Sequence, residues 1–202
     1  MFNIILAAGL SSRMGYNKLL LKYNNKSLIE HQIKASFEAK LDVIVVTGCF
    51  KDEIEKEIIK LKKKYKTNIY VAHNENYNYG QLSSLIVGVK KTLELKNDSP
   101  YFISVGDIPF LKKDDFLNLI PHLNNHDALR PFVNGTFGHP VLINNNISKE
   151  IIALDFKNKN EGLRSFLKKK DTIAFNSNNI AYIQDIDTKE TYERLISSTS
   201  LE

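Results

Sequence analysis

The residue types best suited to chemistry lie in a few short segments, each close behind an apolar run. The first is Ala7-Ala8-Gly9-Leu10-Ser11-Ser12-Arg13-Met14-Gly15-Tyr16-Asn17-Lys18. Small residues let the backbone approach a ligand, Gly9 and Gly15 permit unusual dihedrals, and Ser11 and Ser12 add hydroxyls. Arg13 and Lys18 add fixed cations. Together these are the parts of a phosphate cradle. Arg13 is suited to grip a pyrophosphate with its planar fork, and Lys18 to set a point charge on an α-phosphate or a leaving group. The spacing matches neither the Walker A loop nor the Gly-x-Gly-x-x-Gly fingerprint. A plain tight turn is the competing reading.

The second segment, Phe102-Ile103-Ser104-Val105-Gly106-Asp107-Ile108-Pro109, ends an apolar strand in Gly-Asp, and a proline then turns the chain. Asp107 is a hard oxygen donor at the end of a strand, and magnesium takes one or two carboxylates plus ligand phosphates. Asp185-Ile186-Asp187-Thr188 offers two more acids; either could serve the metal, or Asp187 or Thr188 could cap the last helix. In Asn78-Tyr79-Gly80-Gln81-Leu82-Ser83-Ser84-Leu85 the serines read as N-caps of a helix whose free N–H groups also favour anions. Val46-Thr47-Gly48 reads as an ordinary strand-to-loop turn. His139, before Pro140, is as consistent with a satisfied loop histidine as with a ligand group, and Arg164 is suited to a phosphate. His31, His73, His122 and His126 have no metal-ligand spacing.

These segments need a scaffold that delivers them to one edge. Near-continuous apolar runs at 2–8, 41–47, 67–72 and 101–105 predict buried strands. Between them, Ser27–Glu30 reads as a capping box with Ile29, Ile33 and Phe37 on one face, and Ile54, Ile58, Leu61 and Tyr65 stripe a helix over 51–65. Further helices are expected through Leu85, Val89 and Leu93 and through Phe116, Ile120 and Leu123. Later come strands near 127–131, 139–143, 172–175 and 180–184, and helices near 147–154, 161–169 and from Thr188. This alternation predicts an α/β fold: one Rossmann-like domain over residues 1–200, a mostly parallel twisted sheet flanked by helices. Ligands of such sheets bind beyond the carboxyl ends of the strands, where the segments above lie. Leu201-Glu202 resembles a cloning scar.

With 43% hydrophobic and 25% charged residues, the chain has the composition of a soluble globular protein. No apolar run approaches the roughly 20 residues of a membrane span, and 2–8 lacks the flanks of a signal peptide, so a cytoplasmic protein without a membrane partner is expected. The formal net charge of +5 suits a polyanionic ligand. Lysines at 62–64, 90–91, 112–113 and 168–170 have no interleaved aromatics, which argues against nucleic acid. Cys49 is the single cysteine, which excludes an intramolecular disulfide and predicts a small buried apolar residue.

The stretch Leu6-Ala7-Ala8-Gly9-x-Ser11-Ser12-Arg13-Met14-Gly15-x-x-Lys18-Leu19-Leu20 closely resembles the signature of MobA-like nucleotidyltransferases, with Asn17 where that family usually has proline. The segment at 80–85 resembles its Gly-Met-Ser-Ser-Ser-Leu motif, 106–109 its Gly-Asp-Met-Pro motif, and 185–189 its Asp-Ile-Asp-Thr-Pro motif with Lys189 for proline. Gly138-His139-Pro140 and Gly162-Leu163-Arg164 are similar to elements of the molybdenum cofactor cytidylyltransferase branch, as is Ala8, where the guanylyltransferase branch more often has glycine. The resemblance implies the nucleotide-diphospho-sugar transferase type of fold and an Mg2+-dependent enzyme. That enzyme would move CMP from CTP to molybdenum-molybdopterin and release pyrophosphate. It implies Arg13, Lys18 and Asp107 as catalytic. Leu6, Ala7, Ala8, Gly9, Ser11, Ser12, Gly15, Ser83 and Ser84 would bind nucleotide. His139 and Arg164 would face the phosphorylated pterin acceptor, and Asp107 with Asp187, or else Asp185, would hold the metal. A molybdenum hydroxylase is the implied recipient. A guanylyltransferase, a sugar- or polyol-phosphate nucleotidyltransferase, and a non-catalytic nucleotide-binding module for cofactor delivery are the alternatives.

Overall fold

The structure is a computed structural model that describes residues 1–11, 14–65, 68–96, 98–158 and 160–199. Its strands are β1 (Phe2–Ala7), β2 (Lys22–Tyr23), β3 (Lys26–Ser27), β4 (Asp42–Thr47), β5 (Ile69–His73), β6 (Tyr101–Val105), β7 (Ala128–Val133), β8 (Thr136–Phe137), β9 (Val141–Ile143) and β10 (Thr172–Asn176). The helices are α1 (Leu28–Glu38), α2 (Lys51–Tyr65), α3 (Gln81–Glu94), α4 (Lys113–Leu117), α5 (Ile120–Leu123), α6 (Ser148–Ile152), α7 (Leu163–Leu167) and α8 (Lys189–Thr199).

Among the described residues one sheet runs in the order β10-β7-β9-β6-β1-β4-β5, with β8 folded back on β7 and a separate β2–β3 hairpin. β1 pairs in parallel with β4 and β6, β4 with β5, and β10 with β7; β9 is antiparallel to both β6 and β7. The fold is thus a mostly parallel α/β sheet flanked by helices. β1 is apolar throughout except Asn3 because both its faces are covered: Ile4 packs with α3, and Ile5 with α1 and α2. The chain builds β4 and β5 on one side of β1, then crosses to β6 on the other. That reversal opens a crevice at the carboxyl ends of β1 and β6, where Leu6 is paired with Val105.

Asn3 is fully buried and sits in a polar chain through the core. Ser104 Oγ donates to Asn3 Oδ1 (2.8 Å), Asn3 Nδ2 donates to Ser36 Oγ (2.8 Å), and Ser36 Oγ donates to Gln32 O (2.7 Å). The Gln32 amide in turn donates to the carbonyl of Ile108. Buried polar groups persist only when paired, so this chain locks α1 to the loop that follows β6.

Several expectations need correction. Residues 180–184 are not a strand: Ile180–Tyr182 is a 3-10 turn, because Asn179 Oδ1 accepts from Ala181 N (3.0 Å) and no sheet edge receives the segment. Ser27 and Glu30 do not form a capping box. Ser27 Oγ donates to Glu57 (2.8 Å), and Glu30 accepts from Lys64 (2.7 Å) and the Tyr65 hydroxyl (2.8 Å), which ties α1 to α2. Phe37, expected beside the buried Ile29 and Ile33, is exposed and leans on Tyr65. Cys49 is exposed too, since it follows Gly48 out of β4 into the loop. The β2–β3 hairpin and the β7–β8 hairpin are too short to leave a periodic signal.

Candidate functional site

Lys18 is delivered by a 3-10 turn over Lys18–Leu20. Asn17 begins it with φ −67°, the value a proline would impose, and its side chain accepts from Leu19 N (3.2 Å). The residue at the family's proline position therefore preserves the turn by another route. Leu19 then packs on Gly106, where a Cβ would come within 3.1 Å of the leucine methyls. This close approach brings Lys18 to the end of β6. Its Nζ lies 2.5 Å from Asp107 Oδ2 and 2.5 Å from Asp187 Oδ1. Burial alone would lower the Lys18 pKa, but the charge and hydrogen bond of Asp107, then those of Asp187, outweigh it and hold it above its ordinary value.

Asp187 reaches this point because Ile186, fully buried, pins its segment to the core and donates its N–H to the Asp107 carbonyl (3.0 Å). Thr188 takes the capping role at α8: its Oγ1 accepts from Thr191 N (3.2 Å), which leaves Asp187 to the cleft. Asp185 is exposed at the outer edge and does not line the cleft; partial burial, then repulsion from Asp187 and Asp107, pushes its pKa up. Asp107 Oδ1 is buried and has no hydrogen-bond partner among the described residues.

Above these groups lies a cleft of about 590 Å³. Of the residues singled out in the sequence, Leu6, Ala8, Gly9, Ser11, Lys18, Ser84, Asp107 and Asp187 line it. Ser11 sits at φ 47°, a left-handed conformation that is costly for a serine, and its carbonyl accepts from Met14 N and Gly15 N. Ala7 is buried in the sheet, and Gly15 and Ser83 stand behind the wall. Ser12 and Arg13 lie outside the described residues.

The serines are not N-caps. Gly80, at φ 96°, precedes α3, and Ser83 and Ser84 occupy its first turn. Asn74, fully buried after β5, donates to both hydroxyls at 2.9 Å, while Ser83 Oγ donates to the carbonyls of Asn76 and Gly80. Asn74 escaped sequence reasoning; its only signal is an asparagine directly behind a strand. The N-terminus of α3 opens on the cleft through Gly80 and Gln81, so its dipole favours an anion there. Gly48 is not part of the wall. Its glycine is needed because a Cβ would sit 2.7 Å from the Ala8 Cβ and carbonyl.

A second cleft of about 410 Å³ adjoins the first, with Leu6 and Gln81 common to both. His139 and Arg164 line it, together with Arg130, which the sequence had not singled out. Gly138 lets the chain pass tightly under Tyr182, whose carbonyl accepts from His139 N (2.8 Å). His139 Nδ1 lies 3.4 Å from the Ile103 carbonyl, so Nδ1 carries the proton. Burial pushes the His139 pKa down, which keeps the ring neutral and makes Nε2 a hydrogen-bond acceptor rather than a phosphate ligand. Tyr79 and Phe156, in an edge-to-face pair 5.5 Å apart, form the opposite rim.

A doubly-wound sheet with a lysine and two aspartates at its switch point, beside a helix N-terminus, defines an α/β protein built to hold phosphate groups. A family model described as a MobA-like NTP transferase domain matches residues 3–173. The chain belongs to that family and is a nucleotidyltransferase. It is 32% identical over 190 residues to a molybdenum cofactor cytidylyltransferase of Escherichia coli K12, covering 94% of this chain and 92% of the relative. In structure it is similar to Rv0371c of Mycobacterium tuberculosis H37Rv, with a TM-score of 0.79 and 18% identity over 98% of both chains. It is also similar to the molybdopterin-guanine dinucleotide biosynthesis protein A of Archaeoglobus fulgidus, with a TM-score of 0.70 and 15% identity over all of both chains. Among the described residues no helix is long and apolar enough to cross a membrane.

Proposed function

We propose that this chain is a magnesium-dependent cytidylyltransferase that moves CMP from CTP onto the terminal phosphate of molybdenum-loaded molybdopterin. The observation that carries the reading is the meeting of Lys18, Asp107 and Asp187 on the floor of the first cleft, under the β1 loop and the N-terminus of α3. Choice of CTP rests on Ala8 and on the likeness to the Escherichia coli enzyme.

The donor set fits a hard dication. Asp107 Oδ1 is buried and unpaired, and Asp107 Oδ2 and Asp187 Oδ1 already converge on a cation. Among the described residues no group of three or more His, Cys, Asp or Glu stands ready to hold a metal alone, so phosphate oxygens complete the shell, as is usual for magnesium. Bound there, the ion supplies charge neutralisation at the α-phosphate.

In the proposed reaction Lys18 leaves the carboxylates for the phosphates, with Arg13 of the same loop gripping the leaving end. N–H groups at the start of α3, Gly80 and Ser84 orient the nucleotide. A terminal phosphate oxygen of the acceptor, led in from the second cleft, attacks the α-phosphorus in line. The new P–O bond forms as the bond to the β-phosphate oxygen breaks, and pyrophosphate departs with the electron pair. Positioning and charge account for such chemistry, and no covalent enzyme intermediate is needed. We assign residues 1–200 to one nucleotidyltransferase domain, acting in the cytoplasm and delivering product to a molybdenum hydroxylase.

The test is pyrophosphate release with magnesium and molybdenum-loaded molybdopterin, comparing CTP with GTP, ATP and UTP. CTP-specific release that Asp107→Asn abolishes is expected. Preference for GTP would move the chain to the guanylyltransferase activity. Silence with molybdopterin and with sugar and polyol phosphates would leave a non-catalytic nucleotide-binding module.

A further inference from the structure

The second cleft contains an unbalanced pair of cations. Arg130 points into it from β7 and Arg164 from α7. Arg130 has no carboxylate partner among the described residues, and its Nε is buried without a hydrogen bond. Its guanidinium lies 4.5 Å from the centre of the Phe137 ring, which holds it in place without neutralising it. Burial first, and then the charge of Arg164, pull the Arg130 pKa below the ordinary guanidinium value. The single carboxylate of the rim, Glu161, is engaged elsewhere, accepting from Asp155 N (2.9 Å). His139, the remaining titratable neighbour, is neutral and also lowers no charge. Two like charges with a buried orphan donor between protein walls are costly in an empty cleft. Such an arrangement is relieved by an anion with several acceptor oxygens.

The attacking phosphate cannot be that anion. It must stand beside the α-phosphate, over Lys18 and Asp107 in the first cleft, whereas Arg130 and Arg164 line only the second. We propose that Arg130 and Arg164 clamp a second anionic group of the acceptor, so that this chain selects an acceptor charged at both ends. The inference rests on the acceptor occupying the second cleft, as the proposed function requires. For molybdenum-loaded molybdopterin the second group is the anionic oxo-metal dithiolene, at the opposite end from the phosphate. The clamp recognises an oxyanion-like cluster of acceptor oxygens, with Arg130 as a specificity-determining residue from a strand rather than from a nucleotide loop.

Binding of tungstate, a simple oxyanion probe, tests this directly. It is titrated calorimetrically into the full chain with CTP saturating and EDTA present, so that the first cleft is filled. Arg130→Leu and Arg164→Leu are each expected to weaken tungstate binding about tenfold, with Lys18→Met leaving it unchanged. In turnover, Arg130→Leu should raise KM for the acceptor about tenfold while KM for CTP and kcat stay within about twofold. Unaltered melting of both arginine variants shows that the fold is kept. Tungstate binding indifferent to Arg130→Leu and Arg164→Leu overturns the clamp, as does an equal rise in both KM values. Arg130-dependent tungstate binding without turnover on molybdopterin overturns the choice of acceptor and keeps the clamp.

Discussion

Lys18→Met tests whether the ammonium stands where a metal ion must go. Its Nζ holds two carboxylate oxygens at 2.5 Å, with side-chain exposures of 14% for Lys18, 14% for Asp107 and 40% for Asp187. At about 4 Å between charge centres and an effective dielectric near 20, each contact is worth about 4 kcal/mol before desolvation. Desolvation and the open side of Asp187 reduce the net contribution of the trio to about 1–2 kcal/mol. Removing the ammonium should therefore lower Tm by about 2–8 °C in a chain of this size. The same change removes a competitor for the metal. Manganese, used as a spectroscopic probe without nucleotide, should bind the variant about tenfold more tightly, the equivalent of about 1.4 kcal/mol. Turnover should fall at least about a hundredfold, since the leaving pyrophosphate loses its cation. Electron paramagnetic resonance titration measures the binding, and pyrophosphate release the turnover. If manganese bound the variant no more tightly than the wild type, Lys18 and the metal would not share a site and the reasoning would fail.

Further expectations follow from other parts of the structure. Asp187→Asn should abolish turnover while Asp185→Asn lowers it only severalfold, since only Asp187 lines the cleft; initial rates at saturating CTP decide between them. Gln32→Leu leaves the Ile108 carbonyl unpaired and should cost about 1–2 kcal/mol in urea unfolding, together with a fall in kcat, because the Asp107 loop loses its anchor. In Gly88→Ala the new Cβ would lie 2.4 Å from Ile4 Cγ2, so about 1–3 kcal/mol should be lost with activity per folded molecule preserved. Lys64 and Tyr65 outweigh the effect of burial and hold the Glu30 pKa below its usual value. A depressed carboxylate stabilises above its unfolded pKa, about 4.3, and loses that contribution as pH falls through the folded value. The stability difference between wild type and Glu30→Gln, about 1–2 kcal/mol at pH 7, should therefore shrink below about pH 4 in denaturation series.

The first half of the chain was largely legible because its strands are buried on both faces. Runs such as residues 42–47 have no reading but a core strand. The same geometry made Lys18 and Asp107 legible: chemistry behind a central strand must face the crevice. Arg130 was not, because it stands inside a strand whose signal is spread among Ala128, Leu129, Pro131 and Val133, and nothing local marks a charge that points into a cavity. Ile180–Tyr182 misled because its apolar run has strand propensity, whereas the side chain of Asn179 supplies a local hydrogen bond that favours a turn. Ser27 and Glu30 have the spacing of a cap, but α2 offers them stronger partners. Such contests are settled between elements, and local spacing does not record them.

The shared wall of the two clefts bears on what happens after the bond is made. Leu6 and Gln81 belong to both, so the substrates lie in adjoining compartments and the product occupies the pair as one molecule. Once one end is held, the other is presented to its compartment at an effective concentration in the millimolar range. The dinucleotide should thus be retained more tightly than either substrate alone. Release then limits turnover and product inhibition is built in, so a recipient that draws the dinucleotide out of the enzyme would raise its rate without touching the chemistry.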